Sequence, residues 1–127
     1  MFEYVRSQGI NTISVKVAVN PAKDDSYLSL EYAKETLKEA KKAGLKTNVV
    51  LLYSDKITYG NSQELPGGWS VDKAAEEANK YTKTVLEELK RAGATPTMVT
   101  IGNEVNYNFL NLSSWDGYVR WQRFQRL

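Results

Sequence analysis

Strand-like and helix-like periodicities alternate along this chain, and the alternation predicts an α/β fold built on a parallel sheet. Three observations carry that reading. β-Branched residues recur at period two over residues 12–19, two amphipathic stripes at helical spacing each end in Ala-Gly, and the apolar runs at 47–53 and 97–101 are too short for helices.

The first strand is expected over 12–19, with Ile13, Val15, Val17 and Val19 on one face and Ser14, Lys16 and Ala18 on the other. Asn20-Pro21 closes it, because proline has no N–H to give the ladder. A helix over 29–43 follows, capped by Ser29 and carrying Leu30, Ala33, Leu37 and Ala40 as its apolar stripe, with Gly44 at the left-handed position that stops it. The second strand, 47–53, contains Val49-Val50-Leu51-Leu52, a run that suits burial on both faces of a parallel sheet. Residues 54–69 then form a long connection rich in Gly, Ser, Asn and Pro, of the kind that compact domains keep for function. Ser70 is expected to cap a helix over 70–92 with Val71, Ala74, Ala78, Tyr81, Val85, Leu89 and Ala92 on one stripe, Gly93 ends it, and 97–101 is the third strand.

Such a chain makes right-handed crossovers. Both helices on one side of the sheet would make it a piece of a closed (β/α)₈ barrel; helices on opposite faces would make it a doubly wound sheet. No Gly-rich phosphate loop follows the first strand, which counts against a nucleotide fold. In the tail, Trp115, Tyr118, Trp121 and Phe124 interleave with Arg120, Arg123 and Arg126. That pattern can stack on single-stranded nucleic acid, but Tyr118, Trp121, Phe124 and Leu127 read more simply as the apolar stripe of a terminal helix.

At 127 residues and 42% hydrophobic content the chain is sized for one domain with one core. A net charge of +2 with both signs interspersed gives no electrostatic case for nucleic acid or an anionic membrane as partner. No apolar stretch is long enough to span a bilayer and no secretory pattern opens the chain, so the compartment stays unassigned. With no Cys and no His, thiol chemistry, disulfides and the commonest metal ligands are absent, and carboxylates are left as the acid/base groups. No cofactor or metal is expected.

The stretch richest in chemistry is Met98-Val99-Thr100-Ile101-Gly102-Asn103-Glu104, an apolar run that stops at a Gly and delivers a carboxamide and a carboxylate side by side. Glycoside hydrolysis needs that pair: an acid to protonate the leaving oxygen and a neighbouring donor to hold a sugar hydroxyl. Glu104 is therefore the candidate acid/base and Asn103 its companion, against the plainer reading of a solvated loop carboxylate and a turn residue. Tyr53, Ser54 and Asp55 either line the same cleft or simply begin the loop. Trp69 is either a platform for the apolar face of a sugar or the anchor of the long connection. Lys16, on the inner face if the Val face packs on helices, needs a partner, and Glu104 is one candidate.

These segments together resemble glycoside hydrolase family 53, the arabinogalactan endo-β-1,4-galactanases. The resemblance rests on Gly9-Ile10-Asn11-Thr12, Val19-Asn20-Pro21, Ala43-Gly44-Leu45-Lys46, Tyr53-Ser54-Asp55, Pro66 to Trp69, and Ile101-Gly102-Asn103-Glu104, in that order and over Val5 to Asp116. Gly-Asn-Glu is shared with many related barrels, whereas Tyr-Ser-Asp followed by the long loop and Trp is more specific. It implies a partial TIM barrel as one domain over 1–127, from late in the first helix through the fourth strand, from a family of secreted enzymes that cleave β-1,4-galactan with retention. It further implies that Glu104 is the acid/base and that Asn103, Tyr53, Asp55, Trp69 and Lys16 meet the polysaccharide. The chain departs from the family where Arg-x-Arg-x-Trp-x-Asn-Pro is replaced by Ser14, Lys16, Ala18 and Asn20-Pro21, and where Val50, Leu51 and Leu52 precede Tyr53 in place of Asp-Phe-His. The resemblance thus implies a repurposed or degraded cleft.

A barrel of this type takes about 250 residues, and no residue here matches the family's nucleophile. The expectation is a galactanase-related domain incomplete or inactive alone, or a non-catalytic glycan-binding piece that serves as an interaction module. Its sheet edges, and an inner face with Ala18, Val50 and Leu52 open to water, are expected to drive self-association.

Overall fold

The computed structural model describes residues 1–60, 62–106 and 108–110. The aromatic and arginine-rich segment from Trp115 to Leu127 lies outside them. In chain order the elements are α1 (Phe2–Ser7), β1 (Thr12–Val17), a 3₁₀ segment (Lys23–Leu28), α2 (Leu30–Lys42), β2 (Lys46–Leu51), a 3₁₀ turn (Val71–Lys73), α3 (Ala74–Arg91) and β3 (Met98–Ile101). β2 lies between β1 and β3, and both pairings are parallel, with Val15 opposite Val49 and Val49 opposite Val99.

α2 and α3 pack on the same face of this sheet. Val15 and Val17 of β1 and Val49 and Leu51 of β2 share one core with Ala33 and Leu37 of α2 and Ala74, Ala78, Val85 and Leu89 of α3. Lys34 of α2 reaches Glu88 of α3 at 2.9 Å across the seam. That arrangement excludes the doubly wound alternative and is that of a barrel segment with its helices outside.

Ser29 caps α2 as expected, its hydroxyl accepting from the Tyr32 N–H at 3.1 Å. Ser70 does not cap α3. Its carbonyl accepts from the Lys73 N–H at 3.2 Å in a tight 3₁₀ turn, and α3 starts at Ala74 without a side-chain cap. Both helices stop where the glycines predict, the N–H of Leu45 returning to the Ala40 carbonyl at 3.0 Å and that of Ala94 to Leu89 at 2.8 Å.

The strands are shorter than the periodicity suggests, for local reasons. Beyond Val17, the Ala18 N–H leaves the ladder for the Leu28 carbonyl (2.9 Å), and the Val19 N–H goes to Ser54 (2.9 Å). β2 ends because Tyr53 turns left-handed, with φ +52°. At the other end Thr97 precedes β3, its N–H bonded to the Thr47 carbonyl at 2.9 Å while its hydroxyl accepts from the Thr47 N–H at 3.1 Å.

The inner face differs from expectation. Ala18, Val50 and Leu52 are buried rather than open to water, because Leu28 at the end of the first 3₁₀ segment folds onto them. Toward the strands' N-terminal ends the same face is polar. The Asn48 carboxamide donates to Ser14 Oγ, directly opposite on β1, at 3.0 Å and accepts from Thr100 Oγ1, diagonally across on β3, at 3.1 Å, linking all three strands. Among the described residues no helix is long and apolar enough to cross a membrane.

Candidate active site

Of the residues singled out from sequence, Asn103, Glu104 and Asp55 lie past the C-terminal ends of the strands, where a parallel sheet hands its chain to loops, whereas the side chains of Tyr53, Trp69 and Lys16 are placed elsewhere. The Gly102 N–H still continues the ladder, to the Leu51 carbonyl at 2.8 Å. Gly102 itself has φ +76°, and a Cβ there would collide with Val105 Cγ1, so only glycine makes this turn. Glu104 then adopts φ +52°. A non-glycine residue held left-handed costs roughly 1–3 kcal/mol and persists only where its surroundings over-determine it.

The long loop supplies that determination. Thr58 and Gln63 are buried polar side chains, 1% and 4% exposed. The Gln63 carboxamide donates to the Asn103 carbonyl at 2.9 Å and to the Glu104 carbonyl at 3.3 Å. Thr58 Oγ1 donates to the Asn103 carbonyl at 3.2 Å, and Asn103 Nδ2 returns a bond to the Thr58 carbonyl at 2.6 Å. Between them the loop doubles back through a Tyr59–Ser62 bridge, which points the Gly60 N–H at Glu104 Oε2, 3.0 Å away. Asn103 is half-buried and Glu104 exposed. Sequence reading missed Thr58, Gly60 and Gln63. Its only signal was the length of the connection that carries them.

Asp55 lies near the same end of the sheet, but both of its oxygens are engaged by backbone amides: Oδ1 by the Asn20 N–H at 3.0 Å and Oδ2 by the Gly67 N–H at 2.9 Å. It thereby fastens the exit of β1 to the Pro66–Trp69 turn. Glu64, the other nearby carboxylate on this loop, is paired with Lys56 at 2.9 Å on the surface.

Tyr53 and Trp69 turn the other way, toward α3. The Tyr53 ring meets Tyr81 and Phe109 edge-on at 5.5 and 5.4 Å, and Trp69 meets Tyr81 at 6.3 Å. Because the Thr82 hydroxyl donates to Ala78, the Tyr53 hydroxyl donates to Thr82, at 2.7 Å. Burial pushes the phenols of both Tyr53 and Tyr81 above the ordinary tyrosine range. For Trp69 this geometry is that of an anchor on the core. Tyr53 continues the alternation of Val49 and Leu51, which places its ring on the helix side of the sheet.

Lys16 sits half-buried on the inner face of β1. Glu104 is not its partner: that carboxylate is held by Gly60, and Lys16 makes no ion pair among the described residues. Instead it lines a groove of about 350 Å³ along the free edge of β1, with Ser14, Tyr27, Leu28 and Ile57. Among the described residues no cluster of three or more acidic side chains is placed to hold a metal ion.

Comparison with known proteins bears on this geometry. Residues 1–127 match the model of glycosyl hydrolase family 53. The chain is 36% identical over 106 residues to an arabinogalactan endo-β-1,4-galactanase of Thermothelomyces thermophilus, covering 82% of this chain and 31% of that protein. It is 31% identical over 128 residues to the arabinogalactan endo-β-1,4-galactanase of Cellvibrio japonicus, covering 96% of this chain and 34% of the relative. A solved fungal β-1,4-galactanase superposes with a TM-score of 0.86 at 30% identity, over 98% of this chain and 38% of that one. The Ignisphaera aggregans family 53 catalytic domain, at 23% identity and a TM-score of 0.84, shares the fold. This chain spans about a third of the length of the curated relatives it matches.

Proposed function

The chain belongs to glycosyl hydrolase family 53, and from that premise we propose that it supplies the acid/base side of a galactan-cleaving centre, with Glu104 carrying the proton. The observation that supports this most is the turn after β3, where a costly backbone conformation holds one carboxylate beside Asn103 at the C-terminal end of a barrel strand. In a retaining mechanism such a carboxylic acid protonates the glycosidic oxygen as the bond to the sugar breaks. It then takes a proton from the water that hydrolyses the glycosyl-enzyme intermediate. Asn103, whose Nδ2 is anchored on Thr58, keeps its Oδ1 and a second N–H for a sugar hydroxyl.

A retaining reaction also needs a nucleophilic carboxylate about 5–5.5 Å from the acid. Both nearby candidates have other work: Asp55 fastens two backbone amides and Glu64 pairs with Lys56. The reading is therefore of a chain that releases no sugar by itself and contributes Glu104 to a centre completed by other residues. Glycan binding without cleavage has less support, because Tyr53 and Trp69 are committed to the core beside α3.

A chimera tests this. Residues 1–127 replace the matching third of a fungal galactanase, and release of reducing ends from β-1,4-galactan is measured. The chimera is expected to be active, and Glu104→Gln to lower kcat by about 10²–10⁴-fold, the usual weight of a general acid/base. An active chimera indifferent to Glu104→Gln would overturn the assignment.

A further inference from the structure

We infer that Gln63, seconded by Thr58, is a positioning residue for Glu104. The long loop is then a template that fixes which carboxylate oxygen is free to carry the proton. The inference rests on the acid/base reading of Glu104 given above.

The argument begins from two polar side chains in a place where such groups must be satisfied. The Gln63 carboxamide and the Thr58 hydroxyl are almost wholly buried, and both spend their donors on the peptide that joins Asn103 to Glu104. Gln63 also reaches the next carbonyl, that of Glu104. The bonds to Asn103 and Glu104 span 40 to 45 residues of sequence, so they are not turn chemistry within a loop, unlike the longer 3.5 Å contact of Gln63 with the Gly60 carbonyl. They hold Glu104 at a φ its own side chain disfavours.

The consequence falls on the carboxylate. With the backbone of Glu104 fixed, Oε2 receives the Gly60 N–H at 3.0 Å, and among the described residues nothing else bonds the carboxylate. Oε1 is left as the oxygen for proton transfer. A backbone donor on one oxygen sets the carboxylate plane, leaving the side chain one position from which to act. Loss of Gln63 releases the peptide, lets Glu104 leave the left-handed region, and breaks the Gly60 contact. The carboxylate survives but is no longer aimed.

The experiment uses the whole chain and no substrate, so its result is independent of whether galactan is cleaved. The Gly60 amide proton is followed by NMR at neutral pH in the wild type, in Glu104→Ala as the reference without an acceptor, and in Gln63→Leu. The expected result is a downfield Gly60 resonance in the wild type that moves to the Glu104→Ala position in Gln63→Leu, with the helical circular dichroism unchanged. Thr58→Val, which deletes one donor at constant volume and serves if Gln63→Leu does not fold, should move the resonance part of the way. A Gly60 resonance that stays at its wild-type position in the folded variants overturns the inference. In the chimera, Gln63→Leu should lower kcat with little change in KM, which loss of a binding contact would not do.

Discussion

The Tyr81 hydroxyl donates to the carbonyl oxygen of Val17 at 2.7 Å, so a residue in the middle of α3 holds the last residue of β1 from outside the sheet. The same carbonyl also accepts the Leu52 N–H at 3.0 Å. Tyr81→Phe therefore leaves no orphaned acceptor, and its cost is that of one net hydrogen bond, about 0.5–1.5 kcal/mol. Urea unfolding of the two proteins measures it. A larger loss would mean that Tyr81 also sets the packing of Trp69 and Tyr53.

Stability should fall at both ends of the pH scale. Burial raises the phenols of Tyr53 and Tyr81 above their ordinary value of 10.0. A group whose folded-state value is raised contributes stability that is whole below its unfolded value and is lost as the pH climbs toward the folded one. The urea midpoint should drop above about pH 10, and less steeply in Tyr81→Phe. On the acid side, the hydrogen bond from Lys34 holds the Glu88 carboxyl below 4.5. Its contribution is present above that value and disappears as the pH falls through the lower folded one, a loss that Glu88→Gln should remove.

Gly102→Ala should damage the site more than the fold. The new methyl would collide with Val105 Cγ1 at a residue with φ +76°. Strain of about 1–3 kcal/mol falls on the turn that presents Asn103 and Glu104. The chimera carrying it should lose most of its galactan hydrolysis while circular dichroism of α2 and α3 persists. Full activity would show that the turn need not be glycine.

Asp55→Ala should loosen two loops together. Its carboxylate receives the Asn20 amide on one oxygen and the Gly67 amide on the other. Both amides should exchange hydrogen faster in the variant, with a global loss of at most about 1–3 kcal/mol because the site is partly solvated. Unchanged exchange at Gly67 would mean that the Pro66–Trp69 turn is held by Trp69 alone.

How much of this was legible in sequence depends on how local the cause is. The stripe of Ala33, Leu37 and Ala40, the Ser29 cap and the alternation of Val15 and Val17 each act within a few residues, and each is realised. The 3₁₀ segment that ends in Leu28 has no period to read, so its role as cover for Val50 and Leu52 was invisible. Tyr53 follows an uninterrupted apolar run, and nothing in that run announces a left-handed residue. At the site, Asn103 and Glu104 stand out by their chemistry. Thr58 and Gln63 do not, because two uncharged side chains in a polar loop acquire meaning only when the fold brings them against a peptide some 40 residues away.

The last expectation is that the 127-residue chain associates with itself, and the structure moves the expected contact. The apolar patch on the inner face is covered by Leu28, so it no longer supplies the drive. β3 does. It pairs with β2 on one side and with nothing on the other among the described residues, and Met98, Val99 and Ile101 are 50%, 38% and 49% exposed. No charge or proline guards this strand. β1, by contrast, places Lys16 beside its own free edge. Covering about 200 Å² of such apolar surface contributes about 5 kcal/mol toward association, set against the translational and rotational freedom that association costs, and pairing two copies of β3 about a dyad is the simplest closed arrangement. Light scattering over a concentration series should show mass rising above the monomer, and Val99→Lys with Ile101→Lys should return it to the monomer without loss of helix. A wild-type chain that stays monomeric at high micromolar concentration would sink the idea; association that survives both lysines would place the contact elsewhere, at β1 or its groove.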